Sequence, residues 1–295
     1  DRQVGQQLEV PFLLEEGETL LPPGTLRTGS GNPYSVFSPF SKAFRRHSTI
    51  QQPLPLPKQL PQGEIPSRFR SSIPTLKDLG LSKNPHLISG GEPAALQRLH
   101  AYIHGAASRY SSDRNLMGEP GTSRLSADIK FGLISVRTVW HAVENAEIPS
   151  ADREAFKNEL IWREFNYSTL WDRPSILAVP FKEKWKNFPW ENNKTHFEQW
   201  KSGTTGYPIV DAAARQLLQT GFVHNRARMI AASFLTKHLK VDYRWGEAHY
   251  LKWLTDGDWA QNNMGWQWAA GSGADAQPWF RIFNPTTQGR KFDPY

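Results

Sequence analysis

Two carboxylates, two asparagines and three indoles fall within residues 256–268: Asp256-Gly257-Asp258, with Trp259 next to it, then Asn262-Asn263-Met264-Gly265-Trp266-Gln267-Trp268. Fixed polar groups set among apolar aromatics suit a planar, redox-active cofactor. The carboxylates and amides can pin ring edges, and the indoles can stack, exclude water or pass electrons. A second signal is Gly121-Thr122-Ser123-Arg124-Leu125-Ser126, which opens a helix expected to run through Ile129-Lys130-Phe131. Hydroxyls and free backbone N–H groups at a helix start can hold an anion, and the same pattern also serves as a plain N-cap. Arg228 with Asp256 reads on its own as a structural ion pair.

The elements that must position these groups are helical. Residues 153–166 bring Phe156, Glu159, Trp162 and Arg163 to one side of a helix. Pro208 and Gly221 bracket a helix over 209–220. Further helices are expected over 224–238, with Asn225 and Met229 one turn apart, over 247–255, closed by Gly257, and over 259–268, where Asn262 and Trp266 share a face. Upstream, Leu8 to Leu14 reads as a short strand, Leu21-Pro22-Pro23-Gly24 as a turn, and Ser41 to His47 as a short basic helix. Residues 51–75, rich in Pro, Gln and Ser, have the composition of an extended linker.

Composition narrows the chemistry. The 295 residues include 12 Trp and no Cys, with a formal net charge of +7. That length can bury one large core with extra segments. Each indole must pack its ring and satisfy its N–H, so their number implies stacking work. Without Cys there is no disulfide, thiolate zinc site or cysteine-ligated iron–sulfur cluster. The positive charge favours a polyanionic partner, although a solvated basic surface carries the same charge. No apolar run approaches the ~18 residues of a membrane span, and no signal-peptide pattern stands out, so membrane insertion and secretion are not expected. Gly271-Ser272-Gly273-Ala274-Asp275-Ala276 fits G-x-G-x-x-A formally, but no strand precedes it, so a dinucleotide-binding turn is not expected. No zinc, P-loop or G-x-S-x-G motif occurs, and no metal site is expected.

Taken in order, the 121–126 loop, Glu159-Leu160-Ile161-Trp162-Arg163-Glu164-Phe165, Thr205-Gly206-Tyr207-Pro208-Ile209-Val210-Asp211-Ala212-Ala213 and the 256–268 run resemble the flavin domain of the DNA photolyase/cryptochrome family. Trp279-Phe280-Arg281-Ile282-Phe283-Asn284-Pro285-Thr286-Thr287-Gln288-Gly289 is also very similar to the family. The resemblance spans roughly residues 20–295 and is nearest to bacterial class I cyclobutane pyrimidine dimer photolyases. It implies a mainly α fold: a helical FAD-binding catalytic domain over 76–295, after the end of an α/β antenna domain (1–50) and an interdomain linker (51–75). Most of that antenna domain, and the family's last helices, fall outside these residues, as in a fragment or trimmed chain. The lack of Cys excludes the family's cluster-bearing branch.

The resemblance also assigns roles. Thr122, Ser123, Arg124, Leu125 and Ser126 match the loop that holds the FAD pyrophosphate, and Tyr110, Phe156, Glu159 and Arg163 match further flavin contacts. Arg228, Asp256, Gly257 and Asp258 match positions against the flavin ring, and Asn262 faces its N5. An amide there does not titrate, which suits a reduced, deprotonated flavin, as in the repair enzymes. Glu159, Trp162, Asn225, Met229, Asn262 and Trp268 match the catalytic pocket, where two indoles grip a flipped-out pyrimidine pair. Met229 cannot donate a proton, which argues for the cyclobutane lesion. Arg114, Arg226, Arg281, Thr287 and Gln288 match the DNA-facing rim. Trp266 and Trp190 match the ends of a three-tryptophan electron chain whose middle position is Tyr243, and Phe156 and Phe222 stand where many members have Trp. The implied activity is light-driven repair by electron transfer from reduced FAD to the dimer. The implied protein is a monomer acting on damaged DNA in a bacterial cytoplasm. An antenna chromophore of folate or deazaflavin type is left open, and the alternative is a cryptochrome-like blue-light receptor without repair activity.

Overall fold

A computed structural model describes residues 2–294 except 9, 14, 15, 48, 56, 60–62, 64–66 and 68–70. Among the described residues every regular element is helical. In order these are α1 (Arg2–Gln7), α2 (Phe37–His47), α3 (Glu92–Ile103), α4 (Tyr110–Asp113), α5 (Ser126–Lys130), α6 (Val136–Glu144) and α7 (Ser150–Asp172). After them come α8 (Lys194–Ser202), α9 (Pro208–Thr220), α10 (Asn225–Ser233), α11 (Tyr243–Trp253), α12 (Trp259–Ala270) and α13 (Pro285–Phe292).

The strand expected over 8–14 is not present in its described residues: 8 and 10–13 lie outside regular structure, and 9 and 14 fall outside the description. With no neighbouring strand to pair with, its backbone groups gain nothing from extension. The basic helix expected from Ser41 starts a turn earlier, at Phe37, because Phe37, Phe40 and Phe44 are all buried on one face. The described residues of 51–75 form no α-helix or strand and are exposed, except half-buried Pro53.

Two hydrophobic cores carry the molecule. The first joins α2, α3, α6 and α7 through Phe37, Phe40, Phe44, Leu99, Val139, Phe156, Ile161 and Phe165. The second joins α8 to α12 through Trp200, Leu217, Ile230, Leu235, Tyr250 and Trp266, with Ala213, Ala227, Ala231, Ala232, Ala269 and Ala270 between them. Helix ends follow local chemistry. α9 starts with Pro208 and stops at Gly221, whose φ of 61° is left-handed. The helix expected over 224–238 divides: α10 ends at Ser233 and Phe234–His238 continue as a π-helical turn. α11 begins at Tyr243, a turn before the expected start, because Asp242 caps it by accepting from the Arg244 N–H at 3.0 Å.

Candidate functional site

α7 is the spine of the site. Its 23 residues contain neither Gly nor Pro, so it runs unbroken past the pocket. Glu159 projects from it to form an ion pair with Arg114 at 2.7 Å. The Arg114 guanidinium also lies 5.3 Å from the centre of the Tyr110 ring. Asp152, two turns earlier on α7, accepts from the Ser111 N–H at 2.7 Å and the Ser111 hydroxyl at 2.6 Å, which fixes α4. Tyr110 is thereby set edge-on to Phe156, with ring centres 5.2 Å apart. Burial, and then the Glu159 charge, raise the Tyr110 pKa, so its hydroxyl stays protonated. Arg114, which the resemblance assigns to the DNA-facing rim, is half-buried and is the partner of Glu159.

The 121–126 loop sits on α5, which is anchored when buried Asp128 accepts from Arg98 Nε at 2.9 Å. Leu125 is buried, Thr122 and Ser123 are half-buried, and Arg124 and Ser126 are exposed. Arg124 adopts a left-handed φ of 54°, a conformation that turns the chain between the two hydroxyl-bearing sides of the loop. Its guanidinium lies 4.2 Å from the Phe222 ring centre. Across the site, Arg228 Nη2 donates to both Asp256 oxygens, at 3.0 and 2.8 Å. Burial raises the Asp256 pKa, but the Arg228 charge and hydrogen bonds from Arg228 and Ser126 outweigh it and hold the carboxyl below its usual value. Ser126, the first residue of α5, lies close enough to this pair to help hold the carboxyl ionised.

His224 adds a further clue. Its Nδ1 caps α10 by accepting from the Arg226 N–H at 3.1 Å, while its Nε2 is buried without a partner. Burial, then Arg226, Arg228 and Arg124, push its pKa down to about 4. Three guanidiniums therefore surround a neutral ring, and the local field favours an anion.

Asp258 caps α12, accepting from the Gln261 N–H at 2.8 Å and from the Tyr167 hydroxyl at 2.5 Å. Gly257 makes the turn before it. A side chain there would come within 3.0 Å of the Leu251 carbonyl. Asn262 donates its amide N–H to the Glu247 carbonyl at 2.9 Å, which leaves its Oδ1 as the outward acceptor. Arg163, one turn before Tyr167 on α7, donates to the Glu18 carbonyl at 2.6 Å and lies 4.7 Å from the Tyr167 ring centre.

The two indoles of the expected lesion pocket stand on different cores. Trp162 packs on the first and Trp268 on the second, and both are half-buried. Asn225 and Met229 lie one turn apart on α10, with Asn225 Nδ2 3.9 Å from the Met229 sulfur. Arg226 donates to Asn115 Oδ1 at 2.6 Å and is half-buried, whereas Arg281 and Thr287 are exposed and Gln288 is half-buried on α13.

The expected electron chain is distributed differently from its order in the sequence. The ring neighbours of Trp266 are Tyr250 at 5.2 Å and Trp200 at 5.8 Å, and Tyr243 is not among them. Tyr243 is buried with a partnerless hydroxyl, and burial raises its pKa. Trp190 packs against the same core, and its own ring neighbours are Phe188 at 4.5 Å and Trp279 at 6.2 Å. Trp266 brings the edge of its six-membered ring against α11 because residue 246 is glycine: a Cβ there would be 2.2 Å from the indole.

Tyr167, His224 and Trp200 escaped sequence reasoning. Tyr167 was detectable, since it shares a face with Arg163 at i, i+4. Trp200 and His224 left no local trace of their long-range partners.

Comparison with known proteins agrees with this geometry. Residues 156–295 match the family model for the FAD binding domain of DNA photolyase, and residues 1–60 match the DNA photolyase model. The deoxyribodipyrimidine photo-lyase of Synechococcus sp. is 44% identical over 285 residues, covering 92% of this chain and 58% of that protein. The chain belongs to the DNA photolyase/cryptochrome family. It spans about three-fifths of the length of the curated relatives it matches, such as the Escherichia coli deoxyribodipyrimidine photo-lyase, 42% identical over 94% of this chain and 60% of that protein. In three dimensions it is similar to a bacterial class III photolyase from Agrobacterium tumefaciens, with a TM-score of 0.82, 41% identity and coverage of 94% of this chain and 59% of that one. Family membership accounts for the order of the motifs, and the helical fold is the one the family's flavin domain requires. Among the described residues no helix is long and apolar enough to cross a membrane.

Proposed function

We propose that the chain binds FAD and uses it to reverse cyclobutane pyrimidine dimers in DNA under light. The observation that carries this reading is the buried Asp256 carboxylate held by Arg228 at 2.8 Å, together with the capping carboxylate of Asp258 and the fixed amide of Asn262. The donor set fits the cofactor. Hydroxyls and guanidiniums suit a pyrophosphate, while an Arg–Asp pair, a capping carboxylate and a fixed amide suit the polar edges of a flavin ring. Thr122, Ser123, Ser126 and Arg124 would hold the pyrophosphate. Arg228, Asp256, Asp258 and Asn262 would hold the ring, with Tyr110, Leu125 and Phe156 as apolar walls.

Bound and reduced, FAD would supply a light-driven one-electron donor for cleavage of the dimer's cyclobutane carbon–carbon bonds without net redox change. The chain does the rest. Trp162 and Trp268 stack on a dimer extruded from the duplex, the general solution among photolyases and other base-modifying enzymes. Glu159, aligned by Arg114, hydrogen-bonds the bases, and Met229 closes the pocket without offering a proton. Arg281, Thr287 and Gln288 hold phosphates without reading sequence. Trp266 starts a relay that reduces the cofactor, with Trp200 and Tyr250 as its ring neighbours and Tyr243 and Trp190 farther out. The reading is of a monomer acting on damaged DNA in the cytoplasm.

Glu159→Ala tests the assignment. It should retain flavin absorbance yet slow light-driven repair roughly ten-fold or more, the loss expected for a hydrogen bond to a charged group. An unchanged rate would remove Glu159 from the mechanism. Retained flavin and DNA binding with no repair in the unmodified chain would favour a cryptochrome-like light receptor.

A further inference from the structure

The proposed repair site assigns no part to α2, yet α2 makes the closest ring contact in the described structure. Phe37, its first residue, stacks on Trp162 with ring centres 3.6 Å apart and planes 5° from parallel. Phe165 meets the edges of both rings, 5.8 Å from Trp162 and 6.0 Å from Phe37. The other face of the Trp162 indole has no ring partner among the described residues.

A face-to-face sandwich is not the arrangement two rings choose unaided, since their quadrupoles favour an offset or an edge contact. Something must hold Phe37 in place. Along α2, Phe40 and Phe44 are buried in the first core. At its start, the Phe37 N–H donates to Asp275 Oδ2 at 3.1 Å, placing a carboxylate where the helix dipole welcomes one. Asp275 lies in the loop that leaves α12, at a left-handed φ of 46°. That loop is fixed in turn. The Gln267 carbonyl accepts from the Ser272 and Gly273 N–H groups, both at 3.0 Å, and Ala274 is buried in the first core. Trp268 stands on α12 just before this loop. An unbroken path thus runs from Trp268 through the 271–277 loop to Asp275, then to Phe37 and Trp162.

We propose that Phe37 and Asp275 are positioning residues for lesion recognition. Phe37 covers one face of the Trp162 indole and fixes its plane, so the face without a ring partner is presented to the dimer without an ordering cost at binding. Asp275 sets the height of Phe37 and couples the placement of Trp162 to that of Trp268. The proposal rests on the reading of Trp162 as a lesion-facing indole.

The test compares Phe37→Leu with Phe40→Leu. Both remove a buried ring from the same face of the same helix, but only the first touches Trp162. Binding is measured in the dark to a short duplex with one cyclobutane thymine dimer and to the same duplex undamaged. Near-UV circular dichroism, referenced to Trp162→Phe, reports the indole's surroundings. Phe37→Leu should lose the Trp162 signal and weaken dimer binding roughly ten-fold, about the worth of one base–aromatic stack, with undamaged DNA bound as before. Phe40→Leu should lower stability and keep the full preference for damage. Asp275→Gly, which tolerates the left-handed backbone and perturbs no core, should move both readouts in the same direction as Phe37→Leu but less. It carries the test if Phe37→Leu does not fold.

Equal loss of preference in Phe37→Leu and Phe40→Leu would reduce Phe37 to ordinary packing. So would full preference in Phe37→Leu and Asp275→Gly alongside its loss in Trp162→Ala. Full preference in Trp162→Ala would instead overturn the lesion-facing reading of Trp162, and this proposal with it.

Discussion

The two cores solve the same problem with different materials. The first is built from large rings: Phe37, Phe40, Phe44, Phe156 and Phe165 lock α2 and α7 together. The second is built from small residues, with alanines along α9, α10 and α12 and glycine at 246, so its helices approach closely around a few large indoles. The first core presents Trp162 by stacking a ring behind it. The second presents Trp266 by removing a side chain beneath it. Each core also buries a carboxyl. Glu164 accepts from the Leu20 N–H at 2.9 Å and pins the N-terminal segment, while Glu247 accepts from Asn263 Nδ2 at 2.9 Å within a polar network of α11 and α12. Ring stacking tolerates a rigid, tightly specified geometry. Close helix packing instead makes single methyl groups decisive.

The largest effect is expected from the ion pair that ties α10 to the loop before α12 in the second core. Arg228→Ala would strand the Asp256 carboxylate, whose side chain is 7% exposed. Losing one partner of a buried pair costs about 3–5 kcal/mol, so urea unfolding should show a large drop in midpoint and flavin should be lost on gel filtration. A variant with wild-type stability and flavin content would show that the tie is dispensable.

Gly246→Ala addresses the second core alone. Its new methyl would fall 2.2 Å from the Trp266 indole. Overpacking costs about 1–3 kcal/mol, and Trp266 should shift, lowering the thermal midpoint and the yield of photochemical flavin reduction. Unaltered photoreduction would mean that Trp266 need not lie where it does.

The buried carboxyls sharpen the comparison through pH. Burial dominates in both, pushing Glu164 and Glu247 up to about 7 from the ordinary 4.5. The folded state therefore favours their neutral forms. Their stability contribution is fully present below pH 4.5 and is lost as pH rises through about 7. The thermal midpoint should fall between pH 5 and pH 8 for this reason. Glu247→Gln, which keeps an acceptor for Asn263, should flatten that fall, as should Glu164→Gln in the other core. An unchanged slope in both would contradict the burial argument.

The smallest effect is expected outside both cores. Arg281→Ala removes an exposed cation and should leave stability untouched while reducing the salt dependence of DNA binding by about one unit of log–log slope. No change in slope would take Arg281 off the DNA path.

The sequence revealed most of this architecture where the signal was local. The helix stops at Pro208 and Gly221, the 3.6-residue pattern of α7 and the order of the motifs were all legible, because each is written in adjacent residues. The start of α2 was not, since its first turn is stabilised by Phe37 docking on α7, far along the chain. The same limit applies to the site. Glu159, Asp256 and Asn262 could be named from their motifs, but the Arg114–Glu159 pair, the Phe37–Trp162 stack and the neighbours of Trp266 depend on long-range contacts that no spacing records.

The central claim is most directly tested by light-driven reversal of a single cyclobutane thymine dimer in a short oligonucleotide, with the flavin reduced chemically beforehand. The account predicts reversal that requires both light and reduced FAD. Bound, reduced FAD and retained DNA binding with no reversal under light would contradict it.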